Sequence, residues 1–266
     1  MSRIYRLKPT PAGHVLYGRP MYHDIRKDLL QARADANGGL TRVAQPPPNL
    51  VDWSAGRAPI RDQGQEGSCS GHQARNVRWL AHFLACGTPP PADFSPAYAY
   101  WQARTIEGAV SQDSGATIGD ELLGMEDTGI CEESYMPYMS GDFTQSPSDA
   151  AIQNAMSHKV DLQAVPVDYS SLANVHQVLA DRHPVIFGFN VPPSFETGGA
   201  AGHLTDPTGE PTLGGHAGSW DMINLQDGWG ADPNSWGLGW GDNGVGYMPA
   251  GYLGRMFEMW AIVPVL

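Results

Sequence analysis

Cys69 stands at the start of a strong helical signal, and that placement constrains the chain more than any other feature. The approach to it, Gln63-Gly64-Gln65-Glu66-Gly67-Ser68, is turn-prone and broken by glycine. From Cys69 to about Leu84, the apolar residues Ala74, Val77, Leu80, Ala81 and Leu84 recur at helical spacing on one face. A cysteine at a helix N-terminus meets unpaired N–H groups and the positive end of the helix dipole, which favours thiolate over thiol. The expectation is a nucleophile with a lowered pKa.

The other two cysteines, Cys86 and Cys131, leave an odd total of three, too few for a disulfide framework. They are expected to be reduced core or surface thiols. The chain holds no CxxC or HExxH, so a zinc site has no support in the sequence. No metal and no other cofactor is expected. No run approaches 18 apolar residues, and no apolar segment follows the basic N-terminus, so neither a membrane span nor a secretion signal is expected. Residence in the cytoplasm follows, or association with a virion if the chain is phage-encoded.

Charge divides the chain. The first 50 residues hold eight Lys and Arg against three Asp and Glu, whereas the whole chain carries −12. An acidic body argues against nucleic acid as a partner. The basic arm has Ile4, Tyr5, Val15, Leu16, Tyr17 and Tyr22 to bury and is expected to dock on that body. It ends in Pro46-Pro47-Pro48, a stiff linker.

Residues 1–48 thus read as an extension, pro-segment-like in position, and residues 49–266 as the main domain. Within it, residues 53–135 read as a helical lobe. Ser95-Pro96 opens a second helix with a cap and a proline, and Thr117 caps a third that Gly129 ends. Residues 136–266 read as a β lobe, with strands over 159–168, 184–191 and 259–266 and a short helix from Ser170 or Ser171 to Ala180. The class is α+β with two lobes.

The stretch Gln63–Cys69 resembles the nucleophile region of the papain-like cysteine peptidases, where glutamine–glycine precedes a glycine–serine–cysteine. Gly214-Gly215-His216-Ala217 looks like the family's histidine segment, and Asn234-Ser235-Trp236-Gly237 like its asparagine segment. The order is right, with 147 residues from Cys69 to His216 and 18 from His216 to Asn234. Ser95-Pro96-Ala97-Tyr98 and Asp113-Ser114-Gly115 look most like bacterial or phage-borne members. The resemblance implies a two-lobed fold with a barrel-like antiparallel β lobe and a cleft between the lobes. It implies Cys69 as nucleophile, His216 as its acid–base partner, Asn234 orienting the imidazole, and Gln63 with the Cys69 N–H as the oxyanion hole. Ser114 and Gly115 would bind an extended peptide substrate at the cleft edge, with Trp236 at the substrate side and over the His–Asn bond.

Three departures accompany the likeness. Glu66 stands where the family has a disulfide cysteine. Ser70 follows the nucleophile in place of an aromatic. Between His216 and Asn234, only Met222, Ile223 and Leu225 are apolar enough for a strand core, and Pro233 cannot donate to a ladder. Asp221, Asn224 and Asp232 therefore stand beside Asn234 as candidates to orient the histidine, as does the alternative that no residue does. Two functions follow: a cysteine endopeptidase acting on protein or peptide substrates, or a catalytically inactive descendant serving as a structural or adaptor component with virion or cellular proteins as partners. A third reading, a nucleophile elbow at Gly67-Ser68-Cys69-Ser70-Gly71, is disfavoured, because that motif needs a buried strand before it and Arg61–Glu66 is polar and broken by glycine.

Overall fold

Four of the described helices begin at a serine or threonine whose side chain caps them. The computed structural model describes residues 25–36, 40, 46–159 and 162–264. Helix α1 spans Ile25–Ala36, and a short strand β1 (Leu50–Asp52) follows the prolines. Helix α2 (Cys69–Cys86) is stopped by Gly87 in the left-handed conformation. Helices α3 (Pro96–Glu107), α4 (Ile118–Thr128) and α5 (Asp149–Ser157) come next. Ser95, Thr117 and Ser148 accept from the backbone N–H three residues on, each bond stabilising its helix by about 1 kcal/mol.

Strand β2 (Leu162–Pro166), helix α6 (Leu172–Ala180), strand β3 (Val185–Val191) and the single turn α7 (Pro193–Glu196) open the second half. Strands β4 (Gly214–Trp220), β5 (Met222–Asn224), β6 (Trp229–Pro233), β7 (Val245–Pro249) and β8 (Met256–Pro264) complete it. They form two four-stranded antiparallel sheets, β2-β8-β3-β4 and β1-β5-β6-β7. The sheets do not close into a barrel.

The expected break between His216 and Asn234 is not there. His216 lies inside β4, which pairs with β3 along its whole length, and β6 runs directly into Asn234. The strand is hidden in the sequence because its partners supply the bulk. A Cβ on Gly218 would lie 2.5 Å from the Phe187 ring, and one on Gly230 would lie 2.6 Å from the Trp220 ring. Pro233 ends β6, opposite Val245, and its carbonyl accepts from Gln73 Nε2 and Asn76 Nδ2 of α2.

Helix α5 lies in the stretch read as the β lobe, yet Ala151 and Ala155 pack with Leu122 and Met125 of α4 in a helical cluster. That cluster also takes in Ile186, Ala217, Trp260 and Ile262, so the first sheet lies directly against the helices. A second cluster, around Phe187, Phe189, Phe195, Trp220 and Trp240, fills the β side. The arm residues from Ile4 to Tyr22 fall outside the described residues. Helix α1 packs on β2 and α4, with Leu30 fully buried and Arg33 paired to Glu126 at 2.8 Å and Asp127 at 3.0 Å.

Gly230→Ala tests the close packing of the two strands. Alanine in a strand gains about 0.5–1 kcal/mol over glycine in backbone terms, but overpacking against the buried Trp220 ring costs about 1–3 kcal/mol. A net loss of stability is expected in urea unfolding; an unchanged midpoint would show that the ring yields.

Candidate active site

Two halves of the fold meet at one cleft. Cys69, the first residue of α2, and His216, in the middle of β4, both line it, together with Ser114, Gly115, Ala116, Thr117 and Ile118 on one wall and Gly188, Phe257 and Glu258 on the other. The β3–β4 register sets His216 opposite Phe189. Its Nε2 donates to Asn234 Oδ1 at 2.8 Å, which leaves Nδ1 as the other ring nitrogen. Asn234 is itself held by its own N–H on Gly244 O and by the Ser235 N–H on its Oδ1. Trp236 lies 4.8 Å from the imidazole centroid and is also packed against Phe195 and Trp240. It covers the His216–Asn234 pair rather than forming the cleft wall.

The other candidates for the orienting role are engaged elsewhere. Asp221 takes both Arg57 nitrogens, Asp232 Oδ1 accepts from the Ser219 N–H, and Asn224 pairs with Asp227.

Gln63 is buried three residues before Glu66. One amide N–H donates to Glu66 O at 2.8 Å, and its Oε1 accepts from Ser235 Oγ at 2.6 Å. Its backbone N–H also donates to Ser235 O. Ser235 thus ties Gln63 to the residue after Asn234, a bridge for which the sequence reading had no signal. Tyr138 Oη donates to Gln63 O at 2.7 Å and lies the same distance from Ser68 Oγ. Asp113 accepts from the Gly67 N–H and from Tyr100 Oη. Glu66, in the place of the family's cysteine, takes the Gly141 N–H, and burial pushes its carboxyl up to about 7. Polar cross-bracing holds the loop where a disulfide is absent.

Gly115 sits at the cleft edge with a left-handed φ of 69°. Its N–H donates to Tyr100 Oη at 3.1 Å and its carbonyl accepts from Ser114 Oγ. Both of its backbone groups therefore have partners within the chain, so pairing with a peptide there would replace existing bonds.

The helix start does not by itself lower the thiol pKa. Burial pushes the Cys69 thiol up to about 11, the Glu121 and Asp113 carboxylates add to the rise, and the backbone amides of Ala217 and Ser70 oppose it. A helix start offers partial charge, but a site 8% exposed removes the water that would stabilise a thiolate. The remaining cysteines differ: Cys86 is exposed and Cys131 is buried, and all three are free.

No family model matches the chain. A curated relative, an uncharacterized peptidase C1-like protein of Acanthamoeba polyphaga mimivirus, is 28% identical over 204 residues, or 72% of this chain. The match spans 64% of that relative's length. Among solved structures, xylellain, a cysteine protease from Xylella fastidiosa, aligns over 99% of this chain and all of its own at 24% identity, with a TM-score of 0.79. The chain has a papain-like fold. Two further structures agree. The Carica candamarcensis cysteine protease CMS1MS2, solved in complex with E-64, covers 82% of this chain and all of its own at TM-score 0.63. Digestive procathepsin L 3 of Tenebrio molitor covers 95% of this chain and 84% of its own at 0.64. Both are 19% identical to it.

The high thiol pKa makes the histidine decisive. With His216 replaced by Ala, Cys69 would hold a thiolate fraction on the order of 10⁻⁴ at pH 7. Peptide-resolved alkylation by iodoacetamide should then be slower at Cys69 than at exposed Cys86, and should accelerate only as the pH climbs toward 11. Wild-type reactivity at Cys69 in His216→Ala would show that the histidine does not set the thiolate.

Proposed function

We propose that the chain is a cysteine endopeptidase in which Cys69 and His216 act as a thiolate–imidazolium pair. The observation that carries the reading is the His216 Nε2–Asn234 Oδ1 bond at 2.8 Å on a histidine that shares its cleft with the cysteine. That bond fixes the ring plane and tautomer, so that Nδ1 can take the Cys69 proton. Cys69 Sγ attacks the scissile carbonyl, and the developing oxyanion takes the Cys69 N–H and Gln63 Nε2. Collapse of the tetrahedral intermediate breaks the C–N bond as His216 delivers its proton to the leaving amine. Water, losing a proton to His216, then hydrolyses the thioester and returns the thiol. Asn234 positions His216, and Trp236 keeps water from their bond. The raised Cys69 thiol means that the ion pair rests on His216 and not on the helix start.

A non-catalytic structural or adaptor role is the second reading, favoured by the same buried, high-pKa thiol. An epoxide thiol inhibitor separates the two. The peptidase reading expects covalent labelling of Cys69 but not of Cys86 or Cys131, with peptide hydrolysis abolished in Cys69→Ala while the circular dichroism spectrum is retained. Absence of label at Cys69 in active-site titration carries the adaptor reading instead.

The cleft also carries a carboxylate. Glu258 lines it beside Gly188, Gly215 and Ala217 and accepts from the Trp260 indole at 3.1 Å. An anionic group there favours a basic side chain on the substrate. Glu258→Gln is expected to lower kcat/KM about tenfold for peptides with Lys or Arg near the scissile bond and to leave neutral peptides nearly unchanged; an equal effect on both would remove the charge argument.

A further inference from the structure

Immediately behind the nucleophile lies a buried carboxyl that the hydrolytic steps do not use. Ser70, the residue after Cys69, turns its hydroxyl away from the cleft and donates to Glu121 Oε1 at 2.8 Å. Both residues are almost fully buried. Glu121 belongs to the first turn of α4, whose capping residue Thr117 and first residue Ile118 form part of the cleft wall. The start of α4 therefore shapes the cleft with Thr117 and Ile118 and braces the nucleophile helix with Glu121. The second carboxyl oxygen, Oε2, has no hydrogen-bond partner among the described residues.

We propose that Glu121 is a positioning residue for the nucleophile: its carboxyl fixes the first turn of α2 through Ser70, so that any charge on it lies directly behind the Cys69 thiolate. The proposal rests on the peptidase reading for its consequence, but its physical content concerns Cys69 alone. A carboxylate with one donor in a dry site is costly. The groups facing Glu121 do not relieve that cost: Asp120 on its own helix and Glu107 on α3 repel its charge, and Arg104 on α3 attracts it. The Arg104 guanidinium is spent on the carbonyls of Val110, Gln112 and Phe143 and is stacked on Tyr100. Burial and the like charges prevail, and the carboxyl is pushed up to about 8. Facing the thiol in turn are Glu121 and Asp113, both of which raise its pKa. The sign follows. Below about pH 8 Glu121 is neutral and leaves the thiolate undisturbed; above it, the new negative charge opposes a second one beside it. Ser70, where the family has an aromatic, supplies the hydroxyl that reaches this carboxyl.

The test is the pH profile of Cys69 alkylation by iodoacetamide, read by peptide mass spectrometry from pH 5 to 10, in which the thiolate displaces iodide. The wild type should show the rate at Cys69 lagging above about pH 8. Glu121→Gln, which keeps the acceptor and cannot ionise, should remove that lag and react up to about tenfold faster at pH 9–10, with little change at pH 6–7. Ser70→Ala removes the donor and leaves the carboxyl, so the break should move to higher pH; it decides the matter if Glu121→Gln fails to fold by circular dichroism. Wild-type and Glu121→Gln profiles that superimpose, or a break unmoved in Ser70→Ala, overturn the proposal while leaving the peptidase reading intact. No alkylation of Cys69 at any pH in the wild type overturns both.

Discussion

The pairing of β3 with β4 is the constraint on which the site depends. Seven residues of each strand are in register from Val185↔Trp220 to Val191↔Gly214. Side chains alternate between faces along a strand, so a slip of one residue would turn His216 away from the cleft. The register is held from both sides. Phe187 fills the space over Gly218, Phe189 meets the His216 ring edge to face at 5.8 Å between centroids, and β8 pairs along the other edge of β3. Once β4 is placed, β6 is placed with it through the Ser219–Asp232 bond, and Asn234 arrives at the imidazole.

The other half of the site is fixed by polar bonds rather than by a ladder. Gln63 has no secondary structure to hold it, yet four of its groups are spoken for by Ser235, Glu66 and Tyr138. Ser235 makes this loop and the asparagine loop a single unit, so Gln63 and the histidine's partner Asn234 are set by one residue. Ser219 Oγ on Gln73 Oε1, and Gln73 Nε2 on Pro233 O, repeat the arrangement deeper in, tying α2 to the two strands that flank the site. Such networks hold geometry well only when their members are satisfied, and these bonds lie between 2.6 and 3.2 Å.

Much of this was legible because local chemistry and tertiary demand coincide. Ser95-Pro96 and Thr117 announce their helices by caps whose bonds need only neighbouring residues. Cys69, His216 and Asn234 could be picked out because each sits in its own short context of small residues. Strand β4 was not legible as a strand: Gly-Gly-His-Ala-Gly-Ser has no apolar alternation, since the bulk it packs against belongs to Phe187 and Trp220 and to a register no local pattern encodes. Helix α5 has a serine cap like the others, but Gln145-Ser146-Pro147-Ser148 before it reads as loop, and its buried face is only Ala151 and Ala155. Ser235 belongs to the asparagine motif, but nothing local signals that its hydroxyl reaches Gln63, 172 residues away.

The thiol shows most clearly what sequence position leaves out. A helix start is a local property and was correctly placed; burial is not local, and it outweighs the dipole. Partial charges at a helix N-terminus stabilise an anion by about 0.3–1 kcal/mol when exposed. A rise of the thiol from 9 to about 11 corresponds to roughly 2.7 kcal/mol in the opposite direction. The balance can be reversed only by a cation formed at contact distance in the same dry cleft, because there the attraction between opposite charges is screened least. On the peptidase reading, His216 held by Asn234 supplies that cation, and acidic groups packed behind Cys69 weigh more than those scattered over the surface.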